Sequence, residues 1–270
     1  MVKNLNFDGA WHRETHTGAI YDNIFVPEGW VARDRREPTQ LRCPDADAES
    51  AMIDEVDAAI EAGDSVGGSF VVVAEGMPVG IGSNAEWDTR IDTAIAAALM
   101  GIQAVKGVEV GLGFGVVRRR GSEVHDEVDP SLPGWQRKTN RAGGTEGGMS
   151  NGAAIAARVA VKPVSTLRKP LDSVDLETGD VRRAHIERSD VAIIPRAAVV
   201  GEGMLALALA DALLADLGGD TIGDVRAAVR RRRKRSNGPR GQRRPADASA
   251  MESLPDDAAE EASPVEGADA

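Results

Sequence analysis

Residues 139–151, TNRAGGTEGGMSN, hold four glycines and almost nothing apolar, and they run straight into GAAIAARVAVK at 152–162. The first stretch has too little apolar surface to build a core, so it must be a loop laid against something else. Its glycines let the backbone pass close to a ligand and aim peptide N–H groups at it, and Arg141 adds a planar charged fork suited to phosphate or carboxylate. A plain flexible loop is the competing reading. The second stretch alternates: Ile155, Ala157, Val159 and Val161 share one face while Arg158 and Lys162 share the other. That is a strand with one buried side, so an all-helical fold is excluded.

At the strand's exit stand Lys162, Pro163, Val164, Ser165 and Thr166, a cation together with two hydroxyls, and a further strand candidate ends in Arg188, Ser189 and Asp190. An anion lying on the loop is expected to meet Lys162, Ser165, Thr166 and Arg188 at once.

Upstream, Asp45 is a good helix cap, and Met52, Ile53, Val56, Ala59 and Ile60 recur at helical spacing until Gly63 offers a stop. A strand is expected at 70–74. Asp88 is placed to cap a second helix whose stripe is Ile91, Ile95, Leu99 and Ile102, with Gln103 and Ala104 near its end and Lys106-Gly107 closing it. Residues 111–138 are glycine-rich and charged. His125 beside Asp126 and Glu127 invites a metal or general-base role, but one imidazole on a loop is more often solvated, and no metal is expected. Residues 199–217 are apolar almost all round, so this helix should be buried within the fold or between subunits, and Glu202, Asp211 and Asp216 argue against a membrane span. Helices and alternating strands without a Rossmann or P-loop fingerprint indicate an α+β layered architecture.

Three parts are expected. Residues 1–38 show no helical or alternating period, 39–235 form the body, and 236–270 form a disordered acidic tail. Residues 246–270 hold eight acids and no base, which accounts for most of the net charge of −11. The basic run RRRRKR at 230–235, with Arg240, Arg243 and Arg244, raises a nucleic-acid interface as one possibility. The adjacent acidic tail and an aromatic content of 3% stand against it, because few rings are present to stack on bases. The single cysteine, Cys43, excludes an intramolecular disulfide and fits a reducing cytosol.

TNRAGGTEGGMSNG, KPVSTL and ERSDV, preceded by ALMGIQAVKGVEVGLGF and GSEVHDE, resemble the consecutive signatures of chorismate synthase, in the same order and at similar spacing. The resemblance runs from about residue 41, in LRCPDADAE, to about residue 230. It implies a layered β-α-β sandwich, incomplete at the N-terminus, because the family's opening Gly-Glu-Ser-His-Gly motif, paired arginines and Arg-x-Ser-x-Arg-Glu segment have no clear match in residues 1–38. It further implies a cytoplasmic homotetramer. The implied reaction is an anti 1,4-elimination of phosphate from 5-enolpyruvylshikimate 3-phosphate to give chorismate in the shikimate pathway, with reduced FMN as cofactor and NADP in association.

Carried over residue by residue, the flavin contacts implied are Gln103, Ala104, Gly147, Lys162, Pro163, Val164, Ser165, Thr166 and Arg188, with Asp190 as the carboxylate that assists proton transfer. Two departures from the family pattern stand out. Ala192 replaces a cysteine, and Asn84-Ala85-Glu86 stands where the family has His-Val-His. Since the family's flavin site draws donors from both halves of the chain, a truncated homologue without activity of its own is the alternative reading.

Overall fold

The computed structural model describes residues 2–7, 41–43, 46–129, 136–187 and 190–236. The expected cap at Asp45, the site candidate Arg188, the tail at 237–270 and residues 8–40 lie outside the described residues.

The body is built on a four-stranded antiparallel sheet in the order β1-β2-β6-β3, made of β1 (Val2–Phe7), β2 (Gly68–Ala74), β6 (Ile155–Val161) and β3 (Val105–Val110). Alternation decides its inner face. Phe70 and Val72 of β2 lie opposite Val159 and Ala157 of β6, and all four are fully buried. Two helices cover that face. One is α2 (Ile91–Met100), which buries Ile91, Ile95 and Leu99 at i, i+4, i+8, and the other is α4 (Ile194–Leu217), which buries Ala197, Ala198, Gly201, Leu205 and Leu209. Each large aliphatic side chain so buried contributes about 1.5–3 kcal/mol. Pro195 starts α4 where a missing N–H costs nothing, and Gly218, at φ +64°, ends it.

Around this core lie α1 (Ala46–Ala62), the 3-10 turn Gly113–Arg118, the short α3 (Gly121–Val124), and a small hairpin of β4 (Thr145–Glu146) and β5 (Met149–Ser150). A second, exposed hairpin pairs β7 (Asp172–Val174) with β8 (Val181–Arg183), and α5 (Ile222–Ser236) closes the described chain. The fold is α+β as expected, with one four-stranded sheet, one helix layer upon it and two small hairpins among the described residues.

Three expectations change, and two further elements gain detail the sequence did not give. Residues 2–7 form a strand, β1, although they lack alternation; their backbone pairs antiparallel with β2 from Val2↔Ala74 to Phe7↔Ser69. The helix that was to carry Gln103 and Ala104 stops at Met100, and Lys106 and Gly107 belong to β3, which the sequence reading did not anticipate. Gly101 caps the helix, Ala104 at a left-handed φ of +68° turns the chain into β3, and the valines that follow favour a pleated strand. The strand at 155–161 is not one-sided: Ala156 is fully buried, as is Val71 of β2 on the same second face, and Arg158 is paired there with Glu109 of β3 in direct register. Helix α4 is buried along one side only, with Val199, Val200, Leu207 and Leu214 exposed on the other. Finally, the basic run 230–235 is helical and held to the body, Arg232 by Asp216 and Arg233 by the carbonyl of Gly76. Among the described residues, α4 is the one helix long and apolar enough to cross a membrane by length and composition.

Candidate functional site

One end of the sheet gathers most of the predicted residues. The left-handed turn at Ala104 aims its carbonyl at the end of β6, where it accepts the Lys162 N–H at 2.9 Å. The Ser65 hydroxyl donates to the carbonyl of Val164 at 2.6 Å. The Val66 N–H donates to the carbonyl of Val191 at 2.9 Å, and Val66 also bridges Ala192. Gly67 makes this convergence possible, because a Cβ there would stand 2.6 Å from the Val161 carbonyl and 2.9 Å from the ring of Pro163. Gln103, Ala104, Lys162, Pro163, Val164, Ser165 and Thr166 thus meet where β3 begins and β6 ends, with the segment of Asp190 alongside.

The cluster is open to water. Gln103, Lys162, Pro163 and Ser165 are exposed, while Ala104, Val164 and Thr166 are half-buried. Lys162 has no ion-pair partner among the described residues. Asp190 does: its Oδ2 accepts from Nη1 of Arg196, in the first turn of α4. Beside the cluster, between α1 and the sheet end, lies an apolar cavity of about 50 Å³ bordered by Met52, Val56, Val66 and Ile194.

Gly147 is elsewhere. The 139–151 loop sits at the opposite end of β6, which at seven residues separates its two ends by about 20 Å. The expectation that one anion on the loop meets Lys162, Ser165 and Thr166 is therefore not met within one chain. The loop's glycines serve packing more than ligand approach. A Cβ on Gly143, Gly144 or Gly148 would stand 2.3 Å from the Gly111 nitrogen, 2.5 Å from the Ala154 carbonyl and 2.4 Å from the Ser83 carbonyl, respectively. Gly147 alone of the four has nothing within 4 Å of that position, and its φ of +59° makes the tight turn between β4 and β5.

What pins this loop was not legible in advance. The carboxylate of Asp126 accepts three hydrogen bonds, from the Thr139 hydroxyl at 2.5 Å, the Arg141 N–H at 2.7 Å and the Ala142 N–H at 2.8 Å. Buried Asn140 works from inside, donating to the Ala154 carbonyl at 2.8 Å and accepting the Gly144 N–H at 2.8 Å. The only advance signal was an acid flanked by His125 and Glu127, and Asp126 spends its carboxylate on the loop; no group of three or more potential metal ligands occurs among the described residues. At the hairpin's base, Arg90 hydrogen-bonds Asp92 and holds its carboxyl below the ordinary value of 3.8.

A polar groove of about 690 Å³ runs past this end, bordered by Arg137, Lys138 and Arg233. Its cations are already engaged: Arg137 makes a forked pair with Glu146, Lys138 lies 2.8 Å from Glu127, and Arg233 donates to the Gly76 carbonyl. Lys162, at the other end of the sheet, has no such engagement with an acid among the described residues.

Similarity to known proteins covers the Lys162 cluster, the glycine loop and most of the groove alike. A family model described as chorismate synthase matches residues 12–214. The chain belongs to the chorismate synthase family. It is 50% identical over 212 residues to the chorismate synthase of Desulforamulus reducens, covering 78% of this chain and 54% of that protein. It is likewise 50% identical over 194 residues to the chorismate synthase of Acidothermus cellulolyticus, covering 72% and 50%. A crystal structure of chorismate synthase superposes with a TM-score of 0.70 at 34% identity, over 87% of this chain and 63% of that one. The chain spans about half the length of the curated relatives it matches.

Proposed function

We propose that this chain carries the flavin-side part of a chorismate synthase site, acting in the conversion of 5-enolpyruvylshikimate 3-phosphate to chorismate and phosphate with reduced FMN. The observation that supports it most is the hydrogen bond from Lys162 to the Ala104 carbonyl, which joins two motifs distant in sequence that the family resemblance assigns to the same cofactor.

The donor set fits the anionic end of such a cofactor: an ammonium at Lys162 with no ion-pair partner among the described residues, an exposed hydroxyl at Ser165, and a backbone turn at Ala104 that keeps both beside Gln103. It does not by itself enclose a ring system, since the neighbouring cavity of about 50 Å³ is far below the roughly 300–1,000 Å³ of a ligand pocket. When bound, reduced FMN supplies an electron transiently and a basic nitrogen for a proton. The chain's own part is to hold and orient. Lys162 attracts the phosphate and Ser165 donates to it. Asp190 is oriented by Arg196 through Oδ2, leaving Oδ1 as the atom that can hold a proton. Arg188, two residues before it, adds a second cation in this reading. Gly147 joins only if another chain brings its hairpin to the cluster, as the homotetramer implied by the family would allow. Cytoplasmic location and NADP association complete the proposal.

The exposure of Lys162 and Ser165 favours a second reading alongside the first, in which the chain alone is inactive. Exposed cations are screened, and each phosphate-directed charged hydrogen bond not made forgoes about 1.5–3 kcal/mol. The test is chorismate formation by the purified chain under anaerobic conditions with reduced FMN, paired with calorimetric FMN binding. Weak binding is expected, lowered about tenfold by Lys162→Ala, with turnover appearing once the N-terminal portion of a relative is added as a separate chain. FMN binding that is indifferent to Lys162→Ala would remove the site; turnover by the chain alone would remove the second reading.

A further inference from the structure

Helix α5 stays helical through the whole of RRRRKR, and the side that meets the body is small and apolar: Ala228 is buried, and Val225 and Val229 are half-buried. Its other side is charge. Arg226, Arg230, Arg231, Arg233, Lys234 and Arg235 are all exposed, and at about 100° per residue they fall within one continuous arc. Arg233 is held by the Gly76 carbonyl and the half-buried Arg232 by Asp216, but Arg226, Arg230, Arg231, Lys234 and Arg235 have no ion-pair partner among the described residues. Where α5 meets the end of α4, a cavity of about 270 Å³ is bordered by Arg231, Arg232 and Arg235 together with Asp216. Like charges four residues apart repel along a helix, and two such rows run here, Arg226-Arg230-Lys234 and Arg231-Arg235. A face of this kind calls for an acidic partner.

We infer that the partner is the chain's own acidic segment, residues 247–261, held across the outer face of α5 by ion pairs. Charge and spacing choose it. Residues 246–270 hold eight acids and no base. The basic doublets Arg230-Arg231 and Lys234-Arg235 recur four residues apart, and so do the acidic doublets Asp256-Asp257 and Glu260-Glu261.

Length allows the return. Asp256 stands 20 residues beyond Ser236, and a flexible coil of that length spans about 25 Å, against about 22 Å for the whole of α5. Gly238, Pro239, Gly241 and Pro245 supply turns on the way, and Arg240, Arg243 and Arg244 extend the positive field that draws the acids back. A segment tethered in this way faces the helix at an effective concentration of about a millimolar, whatever the dilution of the protein.

Other polyanions fit less well. Nucleic acid is gripped by rings that stack on bases, and α5 has none. An anionic membrane surface takes a basic helix through an apolar stripe beside the charges, whereas Val225 and Val229 are turned toward the body. The acidic segment is thus a built-in competitor that keeps the basic helix from such ligands. Occupying the face nine-tenths of the time, it lowers the apparent affinity of a competing polyanion about tenfold.

The experiment treats the full chain with a water-soluble carbodiimide, which joins a carboxylate to an amine only where the two touch. Lys234 is the lysine of α5. At low salt it is expected to link to acids between Asp247 and Glu261, mapped by mass spectrometry, in preference to the exposed Lys106 and Lys162. In a mixture of isotopically light and heavy chains the links should stay within one chain. At about 1 M salt, where the screening length falls to about 3 Å, they should vanish. A second measurement uses a short DNA duplex at about 50 mM salt. Replacing Asp256 and Asp257 by Asn and Glu260 and Glu261 by Gln should raise the affinity about tenfold, and adding Arg230→Ser and Arg231→Ser should cancel the gain. Acids that link no more to Lys234 than to Lys106 and Lys162, links that survive 1 M salt, or links only between copies overturn the inference. So does wild type that binds the duplex as tightly as the neutralised variant, which would make nucleic acid the partner of α5.

Discussion

Two glycines of α4 test how that helix meets the sheet. Gly201 and Gly203 lie two residues apart and face opposite ways. A Cβ on Gly201 would stand 2.4 Å from Cε2 and 2.8 Å from Cζ of Phe70, whereas one on Gly203 meets nothing within 4 Å. Alanine gains about 0.8–1 kcal/mol of helix propensity over glycine at either position. For Gly203→Ala this gain stands alone, and stability should rise by about 1 kcal/mol. For Gly201→Ala it is opposed by overpacking, typically about 1–3 kcal/mol, because Phe70 is fully buried between β2 and the helices and has no space to swing into. The net change runs from about zero to a loss of about 2 kcal/mol.

Propensity cancels in the difference between the two variants, leaving about 1–3 kcal/mol for the contact itself. With a urea slope of about 3 kcal/mol/M, that is a separation of roughly 0.3–1 M in unfolding midpoint. Both variants should be measured at one low protein concentration, since self-association would add stability by mass action. Equal shifts in the same direction would show that α4 does not press on Phe70, and the placement of the helix layer would be wrong.

Replacing Asp126 by Asn leaves one acceptor where the N–H groups of Arg141 and Ala142 now find two, and should cost about 1–3 kcal/mol; hydrogen exchange at those two amides should quicken, and unchanged protection would deny Asp126 its anchoring role. The Arg90 hydrogen bond holds Asp92 below 3.8, so its contribution is present at neutral pH and is lost as the pH falls below about 4. The pair is partly exposed, so the effect is less than about 1 kcal/mol. The difference in urea midpoint between wild type and Asp92→Asn should shrink on acidification, and a difference that grows would reverse the argument.

Periodicity made much of the core legible. Ile91, Ile95 and Leu99 announced a helix face, and Ile155, Ala157, Val159 and Val161 announced a strand face, because side-chain direction in regular structure follows from spacing alone. The motif at 162–166 and the pair Gln103-Ala104 were likewise visible as short runs. Strand β3 was not, since its start depends on one left-handed residue, Ala104, that sequence had no reason to place there.

What the sequence determined by itself is therefore local: which residues turn inward, where glycines are needed, and which family the motifs resemble. What only the tertiary structure decided is distance. Strand pairing put Ala104 against Lys162 and sent Gly147 to the far end of β6, and no local pattern encodes which strand lies beside which. The same holds for the glycine loop, where Gly143, Gly144 and Gly148 proved to be spacers against Gly111, Ala154 and Ser83. Helix α4 shows the division most plainly. Its composition required apolar cover on every side, but only packing could say that the sheet covers one side and leaves Val200, Leu207 and Leu214 facing outward, because burial belongs to the assembled neighbours and not to the residue.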